Sequence, residues 1–258
     1  MLIFCLQACN NEKAEETKTT TDTLPSAEQQ LKDAISKHPD SLLLKENLIQ
    51  YYAENGNYSA ALKTVGDALL KDSMNAPLWD IQANLHFENA DTLDAINDFE
   101  HAIKISAQPE YVIALGTLYG QTKNPLALQT ADALLTSNAK AEKEAYFIKG
   151  LYYSFSNNKI KAIDFFDKCL SISYTFMDAY IEKSIALYDL GKYSEALTVL
   201  DKALTLQNNF DEGYYYSGKC LEKLNRIPEA IQSYQNALRV KPDYVEAKDA
   251  LGRLGIKS

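Results

Sequence analysis

Small apolar, large apolar and polar residues recur along most of the chain with a period of 34 residues. Within each period two small residues lie seven positions apart with a larger apolar residue between them, a spacing that places all three on one face of a helix. The first small positions are Ala61, Ala95, Ala162, Ala196 and Ala230, the large ones are Val65, Phe99, Phe166, Leu200 and Tyr234, and the second small ones are Ala68, Ala102, Cys169, Ala203 and Ala237. A further small position holds Gly116, Gly150, Ser184 and Gly218. A period of this length is typical of a unit of two helices, so the pattern predicts helix pairs in tandem. Because the step from Ala95 to Ala162 is one residue short of two periods, we expect a residue to be missing near Ala127.

The last unit, residues 211–244, resembles the tetratricopeptide repeat, which has a bulky residue at position 4, small residues at 8, 20 and 27, an aromatic residue at 24 and proline at 32. These positions hold Tyr214, Gly218, Ala230, Ala237, Tyr234 and Pro242. The resemblance implies an all-α fold, a right-handed α-α superhelical solenoid of about six helix pairs with flanking half-repeat helices. The expected repeats are 42–75, 76–109, 110–142, 143–176, 177–210 and 211–244.

The flanks extend the same pattern. Residues 26–38 resemble the second helix of a preceding half repeat, and 245–254 resemble a terminal capping helix. The outer face of that helix is expected to carry Glu246, Lys248, Asp249 and Arg253. We therefore expect one solenoid over residues 25–258 with about fourteen helices, because a single helix pair cannot cover its own apolar surface and must stack on its neighbours.

Composition restricts the possible functions. A hydrophobic content of 46% and a charged content of 24% are those of a globular chain, and a net charge of -9 argues against a nucleic-acid partner. We interpret His38, His86 and His101 as surface residues and Cys169 and Cys220 as core thiols, since none of them lies in a metal-binding or nucleophile motif. The sequence thus predicts a chain that is not an enzyme and that uses no metal and no cofactor.

The N-terminus differs in composition from the repeats. Residues 1–9 are apolar and end in Leu6-Gln7-Ala8-Cys9, which resembles the lipobox of bacterial lipoproteins, and residues 10–24 are polar. We interpret residues 1–9 as a truncated lipoprotein signal whose start lies upstream, Cys9 as the lipidated residue and 10–24 as a disordered tether. This implies a lipid-anchored protein of the cell envelope, at the outer membrane or in the periplasm. The alternatives are an apolar N-terminus that packs on the domain and a cytoplasmic repeat scaffold.

The resemblance also implies a concave groove lined by positions 2, 5, 9, 12 and 13 of the first helix in each repeat. Ten of these positions are acidic: Glu46, Glu54, Asp80, Glu88, Glu110, Glu144, Asp178, Asp189, Glu212 and Glu222. Only Lys219 and Lys223 are basic, so we expect an acidic wall in which Asp80, Glu88, Asp189 and Glu222 face the partner. Four of the ten acids lie at position 2, in the first turn of a helix, where the helix dipole alone would favour acidic residues.

The middle of the same wall is apolar in sequence. An exposed strip of Ile113, Phe147, Leu151, Phe155, Ile181, Ile185, Tyr188 and Tyr215 is expected there. Contiguous exposed apolar surface usually marks a binding site, although these residues could instead pack between repeats.

The sequence therefore predicts a non-enzymatic scaffold or adaptor that binds a neutral or basic peptide or helix segment of another protein. The lipid anchor would attach it to a membrane, and its oligomeric state is left open. A glycan- or peptidoglycan-binding lipoprotein is the alternative, because aromatic rings beside carboxylates also suit sugars. The third reading is the cytoplasmic scaffold.

Overall fold

The computed structural model describes residues 25–137 and 139–256, which form fourteen α-helices and no strand. The helices are α1 (Ala27–Lys37), α2 (Leu42–Glu54), α3 (Tyr58–Leu69), α4 (Ala76–Glu88), α5 (Thr92–Ile105), α6 (Pro109–Gln121), α7 (Leu126–Ser137), α8 (Glu142–Phe155), α9 (Lys159–Ile172), α10 (Met177–Asp189), α11 (Tyr193–Leu206), α12 (Asp211–Lys223), α13 (Ile227–Val240) and α14 (Val245–Arg253). A short 3-10 helix, Ala139–Ala141, precedes α8. Each helix packs on the next one along the chain, and first helices of successive repeats, such as α6 and α8, also touch. The prediction of an all-α solenoid with about fourteen helices is confirmed. Cys9 and the tether lie outside the described residues.

Local signals explain where the helices begin and how they are joined. The side chains of Ser41, Asn57 and Asn158 accept hydrogen bonds from backbone N–H groups in the first turns of α2, α3 and α9. Each of the six connections within a repeat contains one residue in the left-handed region, with φ between 58° and 74°. These residues are Gly56, Ala90, Lys123, Asn157, Gly191 and Asn225. Gly56 and Gly191 take the positive φ that their turn positions predict.

The missing residue does not lie near Ala127, as the sequence led us to expect. The left-handed turn residues are 34 apart except between Ala90 and Lys123, so the chain is shortened before α6. Three residues, 106–108, connect α5 to α6, whereas four, 173–176, connect α9 to α10. Ala127 is displaced from the 34-residue column because α7 opens with a tight turn. In this turn the N–H of Ala127 donates to the carbonyl oxygen of Asn124, three residues back, at 3.0 Å.

In the fourth and sixth repeats, a glycine in the first helix lies beneath a large aromatic residue in the second. Phe166 and Tyr234 are fully buried. A Cβ atom on Gly218 would lie 2.5 Å from Tyr234 Cε1, and one on Gly150 would collide with the ring of Phe166. Glycine at these two positions therefore allows the two helices to approach closely enough for the ring to fill the space between them.

The two cysteines in the described residues confirm the expectation of core thiols. Cys169 and Cys220 are buried and not disulfide-bonded. Burial raises the pKa of the Cys169 thiol to about 12 and that of Cys220 to about 11. Neither thiol has the lowered pKa that activates a nucleophile.

Glu182 on α10 is a half-buried carboxyl side chain. Burial raises its pKa to about 7; Lys159 acts in the opposite direction, while Asp178, Glu212 and Asp189 raise it further. The folded protein therefore holds a proton on Glu182 more tightly than an unfolded chain, in which glutamate has a pKa of about 4.3.

The glycine beneath the ring yields the first prediction. Gly150→Ala should lower the free energy of unfolding by about 1–3 kcal/mol, because the added methyl group overpacks the contact with Phe166. Gly66→Ala on α3 is the matched control, since nothing lies within 4 Å of its added Cβ. It should raise stability by about 0.5–1 kcal/mol through helix propensity. Urea unfolding followed by circular dichroism measures both effects, and equal effects would refute the close-approach account.

Glu182 yields a prediction about pH. Because its folded-state pKa lies above its unfolded value, its contribution to stability is complete below about pH 4 and is lost as the pH rises through 7. Glu182→Gln should reduce the loss of stability between pH 5 and pH 8 by up to about 3 kcal/mol. The exposed Glu195→Gln is the control, and it should leave that loss unchanged. Urea unfolding at the two pH values tests this, and a wild-type profile retained by Glu182→Gln would contradict it.

Candidate functional site

A groove of about 500 Å³ lies between α2 and α4, the first helices of the first two repeats. Three carboxylates, Glu46, Asp80 and Glu88, line it, and Ile49 and Ile81 contribute apolar surface. Asp80 and Glu88 lie where the sequence placed them, on the face formed by positions 5 and 13 of the first helix. We call this groove the acidic pocket.

The carboxylates of the acidic pocket carry charge that no described residue neutralises through an ion pair. No ion pair joins Glu46, Asp80 or Glu88 to a basic residue in the part of the chain that the structure describes. Asn84 Nδ2 donates to the backbone oxygen of Asp80 at 2.8 Å and to Asp80 Oδ1 at 3.3 Å. Burial raises the pKa of Asp80, and the bond from Asn84 works against that change. A cation from a partner would offset the energetic cost of burying this negative charge.

Two other acids expected on the wall are already paired. Asp189 Oδ2 lies 2.7 Å from Lys159 Nζ, and Glu222 Oε1 lies 3.3 Å from Arg253 Nη2. The Tyr234 hydroxyl also donates to Glu222. The expectation that these acids are free to face a partner is therefore wrong for Asp189 and Glu222, because neighbouring elements supply their counter-charges.

The expected apolar strip is also largely internal. Leu151 is fully buried and Ile181 is only 7% exposed, so neither can contact a partner. A Cβ atom on Gly120 of α6 would lie 3.0 Å from Leu151 Cβ, which shows that Leu151 fills the contact between successive first helices. Ile181 belongs to the core cluster that includes Leu200 of α11.

The remaining members of the strip differ in exposure. Phe147 is half-buried, with its ring 5.0 Å from that of Phe176, and Tyr215 lies 5.2 Å from the ring of Tyr244. Ile113, Ile185 and Tyr188 are half-buried against core clusters. Phe155 is 41% exposed and is the most accessible of the eight. The alternative that these residues pack between repeats accounts for most of the strip.

A second, smaller pocket of about 230 Å³ lies at the C-terminal end of the same helix face. Tyr188, Lys219, Glu222, Lys223 and Arg253 line it, and we call it the basic pocket. The sequence identified its two lysines but placed Arg253 on the outer face of the capping helix. The structure corrects this, because Arg253 lies beside Glu222 at the end of the groove. The repeat register could have located it, because Arg253 stands at position 9, a groove position, when the count continues from residue 245.

One buried polar cluster lies away from both pockets. His86 Nδ1 is 2.8 Å from Asp98 Oδ2, to which Gln82 Nε2 donates at 3.1 Å. Burial raises the pKa of Asp98, while both hydrogen bonds act to lower it. The expectation of a surface histidine is wrong for His86, whose side chain is 18% exposed, because it partners a carboxylate on α5.

No group of three or more His, Cys, Asp or Glu residues in the described part of the chain could hold a metal ion. None of the described helices has the length and apolar character needed to cross a membrane.

The sequence matches family models over several segments. Residues 143–176 and 211–244 match the tetratricopeptide repeat, residues 24–77 match a second tetratricopeptide repeat model, and residues 186–225 match a model described as TPR repeat. Together these segments cover more than half of the chain. Comparison with curated proteins gives no match.

Solved structures share the fold at low identity. A tetratricopeptide repeat protein from Parabacteroides merdae superposes with a TM-score of 0.73 at 23% identity, over 88% of this chain and 90% of that chain. PilW, a type IV pilus biogenesis factor, superposes with a TM-score of 0.61 at 19% identity, over 81% of this chain and 97% of that chain. The Cut9-Hcn1 complex of the APC/C gives 0.58 at 19% identity, over 88% of this chain but only 46% of that chain. The repeat matches and the shared solenoid lead to one conclusion: the chain belongs to the tetratricopeptide repeat family.

Proposed function

We propose that this protein is a lipid-anchored, non-enzymatic adaptor of the bacterial cell envelope that binds a segment of another protein in its groove. Tetratricopeptide repeats are scaffolds for protein-protein interaction, which supports the general role. The observation that carries the specific proposal is the acidic pocket, where three carboxylates that form no ion pair with any described residue surround apolar surface. A cationic side chain flanked by apolar residues is the complement of such a surface.

The lining of the acidic pocket favours a peptide over a sugar as its ligand. Its lining combines carboxylates with aliphatic side chains and contains no aromatic ring. The rings of Phe147 and Tyr215, which a sugar would need for stacking, have their own aromatic neighbours in the core. An extended or helical segment bearing Lys or Arg is therefore the partner we propose.

The envelope location is supported by sequence alone. Leu6-Gln7-Ala8-Cys9 resembles a lipobox, and the polar residues 10–24 that follow would separate an acylated Cys9 from the solenoid. At about 5–6 Å times the square root of its length, such a flexible segment would span roughly 20–23 Å. The solenoid would then lie close to the membrane surface with its groove open to a partner.

Photo-crosslinking tests the groove. A photoreactive residue replacing the exposed Gln50 in the acidic pocket should give a discrete protein adduct in intact cells, whereas one replacing the exposed Lys63 on α3 should not. Asp80→Lys combined with Glu88→Lys should reduce the Gln50 adduct several-fold, because it reverses the charge that attracts the partner. Mass spectrometry identifies and quantifies the adducts from the two positions and from the charge-reversed variant. Equal adducts from Gln50 and Lys63, or an adduct unaffected by charge reversal, would contradict the proposal.

Metabolic labelling tests the anchor. The natural gene product should incorporate an alkyne fatty acid, and Cys9→Ala should abolish that label because it removes the acylated thiol. Cys5→Ala is the matched control, since it removes a cysteine from the same segment but should keep the label. A label that persists in Cys9→Ala, or is absent from the wild type, would favour the cytoplasmic scaffold.

A further inference from the structure

The charge of the groove changes sign along the solenoid. At position 13 of the first helix, Glu54 and Glu88 occupy the N-terminal repeats and Lys223 occupies the last one. Position 9 holds Asn84 in the second repeat and Lys219 in the sixth. The acidic pocket and the basic pocket are thus built from equivalent positions of α2, α4 and α12, and they lie on the same face at opposite ends.

The basic pocket retains its positive charge. Glu222, its one carboxylate, already accepts from the Tyr234 hydroxyl and pairs with Arg253. No ion pair involves Lys219 or Lys223 within the described residues. The pocket therefore holds three cationic groups for one carboxylate, in a chain whose net charge is -9.

Lys219 is also held in place. Its Nζ lies 5.1 Å from the ring centre of Tyr188, 5.6 Å from that of Tyr215 and 5.1 Å from that of Tyr216. Contact with aromatic faces restricts the side chain without neutralising it, so the ammonium remains available to an anion. An ammonium positioned in this way costs less entropy to engage than a freely rotating surface lysine.

We propose that the basic pocket binds a carboxylate of the same partner segment whose cationic residues occupy the acidic pocket. This inference rests on the proposed function and adds a direction to it: the basic part of the segment lies over α2 and α4, and its acidic group lies between α12 and α14. The carboxylate can come from an Asp or Glu side chain or from a free C-terminus. The pocket volume of about 230 Å³ leaves ample room for such a group.

The separation of the pockets sets the length of the segment. Four steps between first helices separate α4 from α12, and adjacent packed helices lie about 8–10 Å apart, so the span is roughly 30–40 Å. An extended chain advances about 3.3 Å per residue, so about 9–12 residues separate the basic and acidic groups of the partner.

Designed peptides provide the test on the full chain. The dipolar probe has about sixteen residues, with lysines at one end, an uncharged middle and glutamates at the other end, and both termini are blocked. One comparison probe is wholly basic. The other carries the lysines and a free C-terminal carboxylate but no glutamates. Each is labelled with fluorescein for anisotropy, and a benzophenone is placed at either end of the dipolar probe.

The dipolar probe should bind at least about fivefold more tightly than the wholly basic one. Its acidic end should crosslink to α12 or α14, and its basic end to α2 or α4. Lys219→Gln combined with Lys223→Gln should remove the advantage of the dipolar probe and leave the affinity of the basic probe unchanged. Lys202→Gln combined with Lys248→Gln is the matched control, because it removes the same charge, and Lys202 also lies over a ring, that of Tyr180, at 5.9 Å. If the probe with the free C-terminus binds as tightly as the dipolar probe, the pocket accepts a terminal carboxylate. If it binds only as tightly as the basic probe, the pocket requires side-chain carboxylates.

Failure of this inference is distinguishable from failure of the proposed function. If the basic probe binds the acidic pocket but the acidic end crosslinks evenly or to α2 and α4, the direction is wrong and the adaptor role stands. An equal loss in the control double variant likewise overturns the basic pocket as a specific site. If none of the probes binds the folded wild-type protein, both proposals are overturned.

Discussion

The close approach of the two helices in each repeat is the constraint on which the rest of this structure depends. Gly150 and Gly218 expose backbone beneath the rings of Phe166 and Tyr234, and each ring fills the space that a side chain on the glycine would occupy. This contact fixes the angle and separation of a helix pair, and the pair then presents an apolar face that only a neighbouring repeat can cover. The concave surface follows from that stacking, because it is formed by first helices that successive repeats place side by side.

The surface that results is divided by position along the solenoid. In its middle, Leu151 and Ile181 fill contacts within the core, and the groove positions there contribute mainly to packing. At its ends the equivalent positions carry charge: Asp80 and Glu88 line one pocket, and Lys219 lines the other. Unpaired charge on the groove face is thus found at the two ends of the described solenoid, in the acidic and basic pockets.

The sequence predicts the fold well because packing requirements repeat. Small and large residues at fixed spacing reveal the helix pairs, since a small residue facing a larger one recurs in most units. The groove is predicted less well, because exposure at a given repeat position depends on the neighbouring repeat. Leu151 occupies a groove position in the family pattern, yet the absence of a side chain at Gly120 lets it sink into the contact with α6. Asp189 and Glu222 are acidic in sequence, but Lys159 and Arg253, which lie 30 and 31 residues away, supply their counter-charges.

The same reasoning explains how one fold can serve unrelated partners. Gly218 on α12 and Tyr234 on α13 meet between the two helices of the last repeat, whereas Lys219 and Lys223 of α12 lie in the basic pocket. A substitution at the second set alters charge at the groove without adding volume to the core, so its effect on stability is small compared with overpacking beneath a ring. Tyr215 and Glu222 belong to both sets, because Tyr215 packs on Tyr234 and positions Lys219, and Glu222 accepts from the Tyr234 hydroxyl. At the C-terminal end, therefore, the core aromatic residues orient the charged groups, and the chemistry of the basic pocket is tied to the packing of the last repeat.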